Sequence, residues 1–101
     1  MIVFVYGTLM DEKIRCDVLG RQISGIPTTL DGYDGSKTII IENKSYPAAE
    51  KNSECFIKGL TIELTEDEIL KLDVYETDAY KREEVKLTNG QSAFIYSNKN
   101  S

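Results

Sequence analysis

Histidine is absent from all 101 residues. Its absence removes the usual Ser-His and Cys-His nucleophile pairs and the histidine-rich metal sites, leaving carboxylates, tyrosines, lysines and backbone amides for any chemistry. Cysteine is almost as scarce. Cys16 and Cys55 stand far apart without a C-x-x-C pair and read as two free, partly buried thiols, since a chain with its own core does not need a disulfide. No apolar stretch approaches the roughly 20 residues that span a bilayer, and the short apolar start runs into Tyr6-Gly7 with no basic region or cleavage site. Positive charge is in deficit too. The formal net charge is −5 with the signs interspersed, so no basic stripe follows a phosphate backbone or an anionic membrane surface. The expectation is a cytoplasmic protein with neither nucleic acid nor membrane as partner; oligomeric state leaves no signal.

What is present suits one packed domain. A 41% hydrophobic fraction in 101 residues makes one core, and we expect a single domain over residues 1–97 with a frayed tail over 98–101. Residues 2–6 are continuously apolar and closed by Gly7, which reads as a central strand buried on both faces. Ile14 and Val18 at helical spacing, with Gly20 placed to stop the helix, predict a short helix over 10–19. Pro27 predicts an edge or bent strand within 21–33, before turn chemistry at Gly32-Tyr33-Asp34-Gly35-Ser36. A β-branched run at 37–42 precedes a polar segment, and residues 55–64 alternate as a half-buried strand through Phe56, Leu60, Ile62 and Leu64. Thr65-Glu66-Asp67-Glu68 has the form of a capping box and predicts a helix over 65–75. Asn89-Gly90 then joins two strands over 80–88 and 92–96 as a hairpin. Helices among short, turn-separated strands predict an α+β fold with a mixed, β-barrel-like sheet and one or two helices.

At about 100° per residue, Ile69, Leu72, Asp73 and Glu76 share one face of the second helix, so the face that docks on the sheet carries a carboxylate at its end. Desolvation would raise its pKa toward neutrality, where it can exchange a proton. The ordinary alternative is that the helix frays first, or that Glu76 caps a turn or pairs with Arg82 or Lys81. Gly7 follows the buried strand and frees successive N–H groups to face an anion, although a plain strand-to-helix turn has the same sequence. Pro47 stiffens Tyr46-Pro47-Ala48-Ala49, and Tyr80 and Arg82, two apart in a strand, share a face.

Taken in order, Val3-Phe4-Val5-Tyr6-Gly7-Thr8-Leu9, Tyr46-Pro47-Ala48, Gly59, Leu72-Asp73-Val74-Tyr75-Glu76 and Tyr80-Lys81-Arg82 resemble the γ-glutamylcyclotransferase-like, or AIG2-like, family over nearly the whole chain. The resemblance implies a compact, barrel-like α+β fold and an enzyme releasing 5-oxoproline from a γ-glutamyl amine or amide. It places the family's glutamate on Glu76, as general acid and base. Its glycine-containing loop falls on Gly7, Thr8 and Leu9, and its later tyrosine on Tyr80; Tyr6 and Tyr46 complete the residues expected to hold the substrate. The substrate's own α-amine is the nucleophile, and the scheme uses no metal and no cofactor. The chain departs from the pattern where Thr77 and Asp78 follow Glu76, a place where members often have glycine, and in its short length. A non-catalytic module binding a small molecule or a protein on the same fold is the competing reading.

Overall fold

The structure is a computed structural model and describes residues 1–99. Its framework is a five-stranded sheet of β1 (Ile2–Val5), β2 (Ile26–Asp34), β5 (Glu50–Glu63), β6 (Tyr80–Lys86) and β7 (Ser92–Asn98) in the order β2-β5-β1-β7-β6. A separate hairpin pairs β3 (Thr38–Ile41) with β4 (Lys44–Pro47). Helices α1 (Glu12–Leu19) and α2 (Glu66–Glu76) complete the chain. No helix among the described residues is long and apolar enough to cross a membrane.

β1 lies in the middle of the sheet, antiparallel to β5 and parallel to β7. Alternation splits its apolar run between two cores. Val3 and Val5 pack with Leu9, Leu19, Ile62, Leu64, Ile69, Leu72 and Tyr96. Phe4 faces the other way, with Leu30, Tyr33, Ile57, Leu87 and Ile95. The sheet curls around this second core into a half-barrel. The Tyr33 hydroxyl of β2 donates to Glu83 of β6 and the Thr88 N–H, just past β6, donates to the Thr29 carbonyl of β2 at 3.2 Å, so the outer strands are drawn toward each other, while Ala49, just before β5, bridges Ser97 of β7. Gly59 permits the tight centre of the curl, because a Cβ there would stand 2.3 Å from the Val5 carbonyl oxygen and 2.7 Å from the Phe4 ring.

Several elements start or end elsewhere than the pattern predicts. The first helix begins at Glu12 rather than residue 10, because the Asp11 carboxylate accepts from the N–H groups of Lys13 and Ile14 and caps it there; Thr8–Met10 forms a separate 3₁₀ turn. Gly20 ends the helix in the left-handed region, φ +78°. β2 is an edge strand, as Pro27 requires, but it continues through Tyr33 and Asp34 by way of an irregularity at Gly32, so the turn is confined to the residues after it. β5 begins at Glu50, five residues earlier than the alternation suggests, because the strand past that irregularity pairs Tyr33 with Lys51. Phe56 is 58% exposed and the inward residue is its neighbour Ile57. The polar segment after residue 42 is strand β4, entered through a turn with Glu42 and Asn43 both at positive φ. The Thr65 capping box is complete, its hydroxyl accepting from the Glu68 N–H and Glu68 accepting from the Thr65 N–H. β7 runs on to Asn98, whose N–H donates to the Ala49 carbonyl, within the stretch expected to fray; residues 100 and 101 lie outside the described residues. Both cysteines are free and half-buried.

Candidate active site

Three elements converge on one cavity of about 280 Å³. The end of β1 and the turn after it contribute Tyr6, Gly7, Thr8 and Leu9; the β3–β4 hairpin contributes Ile41, Glu42, Tyr46 and Pro47; the end of α2 and the start of β6 contribute Tyr75, Glu76, Thr77 and Tyr80. All seven residues expected from the sequence to form the site therefore meet, although they come from segments as much as 74 positions apart, the separation of Tyr6 from Tyr80.

Glu76 is the last residue of α2, and Leu72 and Ile69, one and two turns before it, are buried in the core. Docking of that apolar face brings Glu76 to the cavity wall. Among the described residues it has no ion-pair partner: Arg82 pairs with Asp73 at 3.1 Å, and Lys81 approaches Glu83 at 3.6 Å. Asp73, on the same face, also accepts from the Tyr96 hydroxyl. One carboxylate of the pair is thus neutralised in a network while the other is left to the cavity. Desolvation raises the Glu76 pKa to about 7.

The aromatic residues divide in the same way between support and wall. The Tyr6 hydroxyl donates to the Tyr96 carbonyl at 2.5 Å and accepts from the Ala49 N–H at 2.8 Å, so it ties the turn after β1 to β7 and to the residue before β5, and it lines the cavity. Burial pushes its pKa up. Tyr80 donates to the Pro47 carbonyl at 2.7 Å, joining β6 to the hairpin, and desolvation with the nearby Glu76 raises its pKa to about 12. The Leu9 side chain is in the core, so only its backbone is available to a ligand. Gly7 has a negative φ, −115°, and a Cβ there would stand 3.6 Å from Pro47, an ordinary contact; what the missing side chain leaves open is cavity space.

A match to the model of the family described as gamma-glutamyl cyclotransferase, AIG2-like, covers residues 3–100. The chain belongs to that family. Two Arabidopsis thaliana proteins solved in solution share its fold at 24% identity each, with TM-scores of 0.79 and 0.80. A structure named gamma-glutamyl cyclotransferase does so at 12% identity and a TM-score of 0.84. The alignments cover 98% of this chain and 68%, 62% and 66% of those chains, so this family member spans about two thirds of their length or slightly less. No curated protein matches the chain.

Thr77 stands where the resemblance leads us to expect glycine. It caps α2 with φ +64°, a left-handed conformation that glycine adopts freely and a β-branched residue adopts under strain. The turn after Glu76 thus has a conformation suited to glycine without the glycine. Further wall residues escaped the sequence reading. Tyr75 touches Thr8 through a 3.0 Å hydroxyl contact, while Tyr96 and Glu42 lie on elements whose place depends on tertiary packing. Behind the wall, Arg15 is buried and donates to the Leu9, Met10 and Ile23 carbonyls; its one legible sign was a charge at helical spacing from Leu19 on the inward side of α1. Among the described residues no group of three or more Cys, Asp or Glu is arranged to hold a metal ion.

Proposed function

We propose that this protein releases 5-oxoproline from a γ-glutamyl amine or amide, with Glu76 carrying the protons. The observation that carries this reading is the unpaired, desolvated Glu76 carboxyl in the wall of a cavity shared with Thr8 and Leu9. Membership of the family and the fold shared with a structure named gamma-glutamyl cyclotransferase support it.

The substrate brings its own nucleophile. Its α-amine attacks the γ-carbonyl carbon, a C–N bond closes the five-membered lactam, and the C–N bond to the departing amine breaks. On the way from ammonium to lactam N–H the attacking nitrogen loses two protons, and the departing nitrogen gains two and leaves as an ammonium ion. A group that accepts a proton and returns it near neutral pH serves both transfers in turn, and Glu76 ends as it began. Holding the substrate folded back is the larger part of the task, since well-oriented intramolecular attack reaches effective molarities of about 10⁵ M or more. Backbone N–H groups at residues 7–9 would hold a negatively charged oxygen of the substrate, and Tyr46 and Tyr80 would form the walls against its chain.

The test is 5-oxoproline release from γ-glutamyl amino acids, γ-glutamyl amines and glutathione, with Glu76→Gln beside the parent. Loss of about a thousandfold or more in the near-isosteric variant is expected. Full activity in Glu76→Gln would remove it as the base, and a folded parent that binds these compounds without turnover would make the protein a binding module.

A further inference from the structure

Arg15 is 4% exposed, yet none of the ion pairs among the described residues includes it. Its guanidinium hydrogen bonds go to backbone carbonyls: Nε to Ile23 at 3.1 Å, and Nη1 to Leu9 at 3.0 Å and to Met10 at 2.8 Å. Burying a charge without a counter-ion is costly, and a turn that needed only an anchor would be held as well by a neutral donor.

Connectivity beyond those carbonyls indicates what the charge acts on. The Leu9 carbonyl shares its peptide unit with the Met10 N–H, which donates to the Gly7 carbonyl at 3.0 Å; that carbonyl shares its unit with the Thr8 N–H. The Met10 carbonyl shares its unit with the Asp11 N–H, which donates to the Thr8 carbonyl at 3.1 Å; that unit ends in the Leu9 N–H. Two files of hydrogen bonds therefore run from one guanidinium to the N–H groups of Thr8 and Leu9. Both residues line the cavity, and among the described residues neither N–H is used in a turn or loop backbone hydrogen bond. Successive bonds in such a chain polarise one another, by about 10–30% each, so a cation at the head makes the terminal N–H groups stronger donors.

We propose that Arg15 is a positioning residue of the active site, which fixes the turn and, through this relay, strengthens the Thr8 and Leu9 N–H groups toward a negatively charged oxygen of the substrate. The proposal rests on the cyclotransferase reading above. It is tested with Arg15→Lys, which keeps the charge, and Arg15→Gln, which keeps a donor without it, each checked for folding by thermal unfolding. The amide proton resonances of Thr8 and Leu9 are expected to move upfield in Arg15→Gln and to stay near their parent positions in Arg15→Lys. For 5-oxoproline release, kcat/KM is expected to fall about tenfold in Arg15→Gln, less than the roughly hundredfold cost of deleting an oxyanion donor, and to recover at least in part in Arg15→Lys. A loss in kcat would place the reaction's oxyanion on the turn; a rise in KM would place the substrate carboxylate there. Equal losses in both variants, tracking their melting temperatures with the two resonances unmoved, would overturn the relay. Should Arg15→Gln not fold, Arg15→Lys decides, because collapse of the two resonances with the charge still present would also overturn it. A folded parent that releases no 5-oxoproline would fail the cyclotransferase reading, and the resonances would then judge the relay alone.

Discussion

Two carboxylates on one helix face, three residues apart, meet opposite fates. Asp73 is held by Arg82 and the Tyr96 hydroxyl, whereas Glu76 is desolvated with a pKa raised to about 7. A base must be ionised to accept a proton, so under the proposed reaction kcat/KM for 5-oxoproline release is expected to rise with pH through a midpoint near 7 and to level off above it. A flat profile from about pH 5 to 9 would exclude Glu76 from the proton transfer. The same shift has a cost to the fold. Between the ordinary value of 4.5 and about 7 the folded state holds a proton that the unfolded state has lost, so stability falls as pH rises across that window. Glu76→Gln is therefore expected to be more stable than the parent at about pH 8, by up to about 3 kcal/mol, with the advantage vanishing near pH 4. Denaturant unfolding at the two pH values measures this directly.

At the level of the element, the end of α2 is where local preference and the observed backbone disagree. The helix starts on a complete capping box and is anchored by Ile69 and Leu72, but it finishes on Thr77 in a conformation that suits glycine. Strain of this kind collects where the surrounding structure insists on a geometry, here the direction in which Glu76 leaves the helix. Thr77→Gly is expected to raise stability by about 1 kcal/mol, the relieved strain exceeding glycine's added chain entropy, without moving the pH midpoint. If the variant is instead less stable, the Thr77 hydroxyl, which accepts from the Ala79 N–H at 3.3 Å, contributes more than the strain costs. The turn after β1 follows the same logic from the opposite side, since Arg15 holds its carbonyls from beneath.

The whole molecule works by curling. A flat sheet in the order β2-β5-β1-β7-β6 would leave β2 and β6 at opposite ends, and the second core around Phe4 would be open. The Tyr33–Glu83 hydrogen bond and the Thr88–Thr29 pair link these strands, while Ala49 and Ser97 bring the start of β5 to the end of β7. Removing the first of these links with Tyr33→Phe is expected to cost about 1–2 kcal/mol and to speed hydrogen exchange at Thr88, with little effect on Glu76 at the far side of the sheet. Exchange rising equally at every strand would mean that the links are not a local seam but part of the cooperative whole.

Much of this was legible locally. Residues 2–5 form a central strand because an unbroken apolar run is satisfied by burial on both faces, and Thr65 with Glu68 starts a helix wherever the chain places it. The seven candidate site residues were likewise readable as motifs. Their meeting in one cavity was not, because no local rule encodes the curl of the sheet that sets β1, the β3–β4 hairpin and the end of α2 around it. Nor could spacing decide that Arg82 would take Asp73 and leave Glu76 alone, since both carboxylates lie on the same helical face and only the register of β6 selects between them. Arg15 has no place in any motif, and only packing, which closes over it, gives it partners. Sequence determined which segments fold and which side chains they carry inward, because those depend on neighbours along the chain. Tertiary structure alone decided which polar groups are paired and which are left to react, because desolvation and partner choice depend on groups that the chain brings together from far apart.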